Sequence, residues 1–386
     1  MKHQQLRVVL LLGTAQTLAW ASSYYLPAIL ADPIARDIGV SSNWIFAAFS
    51  ASLVISGLLG PRIGRQIDGV GGRGVLSASN VIIASGLVLL GMSHSIEVLA
   101  LAWLILGVGM GMGLYDAAFA ALGSIYKESA RRAITGITLL AGFASTVGWP
   151  LTAWGLETVG WRNTCFAWAL AQIVIGLPLN ILLPQTQQIA KDVSDVKPHI
   201  PIDRTMILLA LAFALAWTVT AAMAVHFPRI LEAAGATSVQ AIAAGALIGP
   251  AQVAARIAEA GLLSRFHPIV SARLACVTHP IGAAVVAITS SATAFSALAV
   301  LHGSGNGILT IARGTLPLAI FGSDNYGYRL GLLGAPARLS QALAPLVFGL
   351  LIDYLGARVL IVSSLLSLGA LIALWFVPRS TRAAMS

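Results

Sequence analysis

The sequence predicts an all-α membrane protein with twelve transmembrane helices, arranged as two pseudo-symmetric six-helix bundles. Three observations predict it. The 386 residues are 58% hydrophobic and 10% charged, with a mean hydropathy of +0.86, whereas a soluble chain carries about a quarter charged residues. The apolar residues fall in runs long enough to cross ~30 Å of hydrocarbon as helices. The chain also repeats itself. Gly60-Pro61-Arg62-Ile63-Gly64-Arg65-Gln66-Ile67-Asp68 reappears, edited, as Gly249-Pro250-Ala251-Gln252-Val253-Ala254-Ala255-Arg256-Ile257-Ala258-Glu259. A duplicated apolar half in a membrane chain points to a transporter with a site between the halves.

Taken in order, the runs fall at 6–30, 42–61, 74–92, 97–123, 133–155, 163–183, 205–226, 240–261, 272–292, 294–320, 330–352 and 357–377. They must be helices, because in lipid each backbone amide has to be satisfied within its own segment. The short alternating segments of a membrane barrel are missing. The start of the chain imitates a secretory leader, with Lys2 and Arg7, an apolar run and then Ala19-Trp20-Ala21. The run continues to Leu30, so it reads as an uncleaved first span. Residues 184–204 form the longest polar stretch, charge-balanced and interrupted by Pro198 and Pro201. They divide the chain into an N-terminal bundle at 1–183, a cytoplasmic linker at 184–204 and a C-terminal bundle at 205–386. Cys165 and Cys276 both lie in apolar segments, so no disulfide framework is implied.

Loop charges set the orientation. With both termini in the cytoplasm, 17 basic residues face inward and four, Arg36, Arg162, Arg229 and Arg358, face outward. Lys191, Lys197 and Arg382 are among the inward set. The remaining two, Arg313 and Arg338, fall inside spans. The net charge of +9 lies in short gaps between apolar runs and forms no long basic face, which argues against nucleic acid as a partner.

The repeat extends beyond the first pair of segments. Span one ends Leu26-Pro27-Ala28-Ile29-Leu30 and span seven ends Phe227-Pro228-Arg229-Ile230-Leu231, with Trp20 and Trp217 as rough counterparts. Pro150, Glu157, Gly160 and Arg162 after span five answer Pro345, Asp353, Gly356 and Arg358 after span eleven. Gly107, Gly109, Gly111 and Gly113 in span four answer Gly303, Gly305 and Gly307 in span ten. These glycines allow helices to approach closely. They do not make a nucleotide loop, since no strand precedes them and the Lys and Thr of such a loop are missing.

Twelve spans, a central linker and the segment Gly64-Arg65-Gln66-Ile67-Asp68-Gly69-Val70-Gly71-Gly72-Arg73 together resemble the major facilitator superfamily. Its loop motif G-x-x-x-D-x-x-G-x-R is matched by Gly64, Asp68, Gly71 and Arg73. The resemblance implies that Asp68 caps span eleven and latches the halves on the cytoplasmic side. A carboxylate is favoured at a helix N-terminus; the alternative is a solvated loop charge. Gly64, Arg65, Asp68, Gly71 and Arg73 therefore form an expected cytoplasmic gate, echoed by Arg256 and Glu259. Gly142 to Pro150 matches the span-five pattern of drug exporters poorly, and span one lacks the acidic signature of monocarboxylate carriers. The Gly-rich span four and the arginines of spans eight and eleven look closest to the bacterial monocarboxylate/oxalate-type branch.

Ionisable residues inside spans are costly and by default functional. Asp116 lies in span four, roughly 13 Å from the cytoplasmic end at the helical rise. It is the expected proton-coupling residue, because desolvation raises a carboxyl pKa and a nearby arginine lowers it. The structural alternative is a permanent Asp–Arg pair. Arg338 is the expected anion ligand, with Arg313 as runner-up, because guanidinium offers a planar fork to a carboxylate. The alternative for both is helix-end pairing. By resemblance, spans one, four, seven and ten line the cavity, which places His302 and Asn306 on it together with Asp116. Gln341, Gln252 and an aromatic set of Trp20, Tyr24, Tyr25, Tyr115, Trp149 and Trp217 complete the expected substrate contacts, with plain packing as the alternative for the aromatics. Met110, Met112, Met223, His226, Cys276 and His279 raise soft-metal transport, but methionine fills apolar gaps more often than it ligates.

The expected function is secondary active transport of a small organic anion, with protons, by rocker-switch alternating access across the bacterial inner membrane. The multi-pass chain is expected to act as a monomer in the lipid bilayer, with no cofactor and no resident metal. A first alternative is proton-antiport export of a drug or toxic metabolite. A second is a non-transporting receptor or assembly factor, for which the sequence offers no extramembranous domain. No nucleophile–base pair suggests an enzyme.

Overall fold

The computed structural model describes residues 2–185 and 200–379. Most of the expected linker, at 186–199, and with it Lys191 and Lys197, lies outside the described residues, as does Arg382. Among the described residues all regular structure is helical. The helices are α1 (Lys2–Ala19), α2 (Pro27–Ile38), α3 (Ser42–Val70), α4 (Gly72–Gly91), α5 (Ile96–Gly113), α6 (Tyr115–Tyr126), α7 (Arg131–Ala141), α8 (Ala144–Ala171), α9 (Leu177–Ile181), α10 (Arg204–Ala233), α11 (Ser238–Gly245), α12 (Ile248–Gly261), α13 (Pro268–Ile288), α14 (Ala292–Phe321), α15 (Tyr326–Leu355) and α16 (Val359–Trp375).

Eight continuous helical runs are long and apolar enough to cross a bilayer. Two of them exceed one crossing. Ile96–Ile181 turns at Lys127–Ala130 and again at Gly160, making three spans, and Tyr326–Trp375 turns at Gly356–Arg358, making two. α1 and α2, joined through a π-helical turn at Trp20–Tyr24, supply the twelfth span. The turn at Gly160 needs a left-handed backbone, with φ 80°, which glycine adopts without strain. Exposed apolar stripes mark the lipid side. On α16, Ile361, Leu365, Ile372 and Trp375 are exposed at helical spacing while Ser363, Ser367, Ala370 and Leu374 are buried. Such a stripe suits hydrocarbon rather than water.

Several spans differ from the uninterrupted runs the sequence suggests, among them the run at 133–155, which is broken between α7 and α8. Span one does not stop at Leu30; the helix continues to Ile38, where Gly39 at φ 77° ends it. Hydropathy marks where a helix leaves the bilayer, not where its hydrogen bonding stops. The expected run at 97–123 is broken at Leu114, whose φ −87° and ψ −170° are extended. The run at 240–261 is broken between α11 and α12.

The chain divides into two compact units. Unit one runs from the N-terminus to the linker and also takes in Gly322–Ala335; unit two is Ile200–Phe321 with the chain from Pro336 onward. The repeat is visible inside each. A Cβ on Gly107 of α5 would lie 2.6 Å from the Ser52 carbonyl oxygen of α3. A Cβ on Gly303 of α14 would lie 2.5 Å from the Ile248 carbonyl oxygen of α12. Gly111 faces the Ser56 backbone and Gly307 the Gln252 backbone in the same way. Span four therefore lies on span two in unit one as span ten lies on span eight in unit two, with equivalent residues at the contacts.

Candidate functional site

In unit one the interior is aromatic and amide-rich. The π-helical turn re-aims span one so that Trp20 lies 4.9 Å from the rings of both Tyr24 and Tyr115. Tyr24 meets Tyr25 and Phe49, Tyr25 meets Trp149, and Tyr115 stacks on Phe119 at 9°. Five of the six expected aromatic residues thus form one cluster. Asp116, half-buried, follows Tyr115 in the first turn of α6. The break at Leu114 gives this acid a helix N-terminus inside the span, where the dipole favours negative charge. Gln16 of α1 reaches the break from the other side, donating its amide to the Gly113 carbonyl at 2.5 Å.

A buried chain of side chains runs behind this cluster. Asn180 donates to Asn80 at 2.7 Å, Asn80 to Gln172 at 2.6 Å, and Gln172 to Ser22 at 2.7 Å. Ser22 lies in the first π-helical turn and Gln172 opens a second, Gln172–Gly176, so the two irregular turns are hydrogen-bonded to each other. Sequence reading passed over Gln16, Ser22, Asn80, Gln172 and Asn180. Their signal is a neutral amide or hydroxyl inside an apolar run, which lipid tolerates only with partners.

The expected gate residues gather at one end of unit one. Asp68 accepts hydrogen bonds from the backbone amides of Gly327 at 2.8 Å and Tyr328 at 2.7 Å, in the first turn of α15. A Cβ on Gly64 would collide with the Gly327 carbonyl, so only glycine permits this approach. Gly71, at φ 84°, turns the chain into α4. Arg65 and Arg73 are half-buried on either side of the turn. Arg256 and Glu259 sit together on one face of α12 in unit two, 4% and 1% exposed.

Unit two holds the expected substrate ligands. Arg313 of α14, 5% exposed, lies 4.9 Å over the Trp217 ring of α10, within cation–π range. Arg338 of α15, 3% exposed, donates to Gln341 at 3.2 Å. His302 and Asn306 of α14 line one small cavity with Thr220 of α10, Cys276, Thr278 and His279 of α13, and Ser367 of α16. The Thr220 hydroxyl has two acceptors in reach, the Ala216 carbonyl at 3.1 Å and the Asn306 side-chain oxygen at 3.3 Å. Gln252, half-buried on α12, has its backbone against Gly307 and is not among the residues lining that cavity. Among the described residues no group of three or more His, Cys, Asp or Glu side chains is placed to hold a metal ion. Cys165 and Cys276 are buried free thiols.

Comparison with known proteins bears on the same architecture. The sequence matches the Major Facilitator Superfamily over residues 12–293. The fold is similar to that of the human organic anion transporter MFSD10 (TETRAN), with a TM-score of 0.77 at 16% identity over 96% of this chain and 99% of that one. It is also similar to the proton:xylose symporter XylE bound to 6-bromo-6-deoxy-D-glucose, with a TM-score of 0.70 at 13% identity over 98% of this chain and 96% of that one. No curated protein matches the sequence. With twelve helical spans, glycine ladders repeated in both units and a family match over most of its length, the chain belongs to the major facilitator superfamily of membrane transporters.

Proposed function

We propose that this transporter moves a small organic anion together with protons, by rocker-switch alternating access. The observation that carries the substrate class is the pair of buried guanidinium groups, Arg313 over Trp217 and Arg338 beside Gln341, inside spans ten and eleven. Cations within a span are costly and mark substrate or ion pathways. A guanidinium recognises a carboxylate through two parallel N–H groups. This supports the monocarboxylate/oxalate-type branch. Asp116 is the proposed proton carrier, supported by its place in the first turn of α6. Asp68 with Gly64, Arg65, Gly71 and Arg73, and Arg256 with Glu259, are the proposed gate. The bundles at 1–183 and 205–386 are the proposed moving parts, joined by 184–204. Loop charges support an inner-membrane orientation with both termini in the cytoplasm.

Counterflow of a labelled panel of mono- and dicarboxylates into vesicles tests the anion site. Arg338→Lys and Arg313→Lys keep the charge and remove the fork. One of the two is expected to lose exchange at least about tenfold. Normal exchange in both, in folded protein, removes the anion reading. Asp116→Asn is expected to keep counterflow and to lose pH-driven accumulation. The aromatic cluster of unit one favours a second reading, export of a bulky apolar solute by proton antiport. Substrate-dependent proton flux in vesicles of known orientation separates the two by its sign.

A further inference from the structure

Unit two contains a titratable cluster that the transport scheme above leaves unused. His279 of α13 and His302 of α14 are both buried, with ring centroids 5.1 Å apart at 73°. Both face the same cavity, of about 20 Å³, which has room for a water molecule. The hydrogen-bond partners of His279 assign it one tautomer. Its Nε2 lies 2.8 Å from the Ser363 hydroxyl oxygen of α16, and Ser363 donates its one hydrogen to the Leu360 carbonyl at 3.1 Å. With that hydrogen on the Leu360 carbonyl, the Ser363 oxygen accepts, and His279 is assigned its proton on Nε2. Nδ1 is left with a bare lone pair, buried and without a hydrogen-bond partner.

A bare acceptor beside a second imidazole and a water-sized space is a place for a proton. We propose that His279 and His302 form a proton-binding pair inside unit two, in which His279 Nδ1 is the acceptor. A hydronium that reaches the cavity gives up one O–H bond, an N–H bond forms at Nδ1, and neutral water leaves. The charge then lies beside the His302 ring, whose centroid is 5.1 Å away. The role rests on the proton-coupled reading of the transporter and adds a second proton station to it.

The surroundings contain little to compete for that proton. The titratable groups lining the cavity are Cys276 and His279 from α13 and His302 from α14. α10 and α16 contribute Thr220 and Ser367, which carry no charge. Elsewhere on these helices, Arg273 donates to the Leu374 and Trp375 carbonyls, Arg313 lies over Trp217, and His226 contacts the Pro345 carbonyl oxygen.

Nitrogen-15 spectra of the full chain, histidine-labelled in lipid nanodiscs, read the site without any substrate. At high pH His279 is expected as the Nε2–H form. It is expected to take a proton as the pH is lowered. His279→Gln is expected to move the His302 midpoint by about one pH unit, as for coupled groups. A Nδ1–H form, a histidine that stays neutral throughout, or an indifferent His302 overturns the pair. If His279→Gln does not fold, Ser363→Ala is expected to replace the single tautomer with a mixture; an unchanged tautomer overturns the assignment. Asp116→Asn is expected to leave this titration alone. Carboxylate transport without proton movement would defeat the coupling reading while the titration stood. A silent pair would defeat the proton site while leaving Asp116 as carrier.

Discussion

Spans four and ten occupy matching places in the repeat, yet they solve the problem of an interior charge differently. Gly107 and Gly111 of span four touch the Ser52 and Ser56 backbone, and Gly303 and Gly307 of span ten touch the Ile248 and Gln252 backbone. Beyond those contacts the two diverge. Span four breaks at Leu114 and carries Asp116 in the first turn of the new helix. Span ten continues as one helix through Thr310 to Arg313. A carboxylate gains from the amides and dipole of a helix start. A guanidinium gains nothing there, and Arg313 instead lies over the Trp217 ring. The two spans share a packing face and differ in backbone in keeping with the sign of the charge each carries.

The packing face should therefore be the most sensitive feature and should respond equally in both units. Alanine at Gly107 and alanine at Gly303 each force a methyl into a backbone carbonyl, which cannot swing away as a side chain could. Each is expected to cost about 3 kcal/mol, at the upper end of overpacking penalties. Thermal unfolding of the two variants in the same detergent checks this. A large loss in one and none in the other would break the equivalence of the two spans.

The break itself should respond in unit one alone. Gln16 satisfies the Gly113 carbonyl at the end of α5. Gln16→Leu leaves that buried acceptor without its donor, at about 2 kcal/mol. The matching site in span ten, Thr310, bonds back to the Asn306 carbonyl of its own helix at 2.8 Å. Thr310→Val is expected to change stability by less than about 0.5 kcal/mol. Equal effects would mean that the broken backbone needs no support from span one.

These differences explain what could be read from residues alone. The spans, the glycine ladders and the Gly64-to-Arg73 segment were legible because each rests on local composition or on a short spacing. The break at Leu114 was not, because no proline marks it and its glycines read as a packing face. Gln16 was missed because its partner is 97 residues away. His279 suggested a soft metal because Cys276 is three positions back; its actual partner, Ser363, lies 84 residues on, across two helices. Long-range partners of single polar residues have no periodicity to reveal them.

The smallest expected effect concerns the two counterpart tryptophans. Trp217 lies under a buried guanidinium, so Trp217→Phe weakens a desolvated cation–π contact and should cost about 1 kcal/mol. Trp20 packs among tyrosines, and its indole N–H is buried without a hydrogen-bond partner. Trp20→Phe gives up some ring contact but also removes an unsatisfied donor, two terms of opposite sign and similar size. The expected net change is under about 0.5 kcal/mol. Detergent unfolding of both variants, together with Arg313→Gln in each background, checks the difference. Trp217→Phe should lose most of its effect once Arg313 is gone, because the contact it weakens is then already absent, while Trp20→Phe should behave the same with and without the arginine.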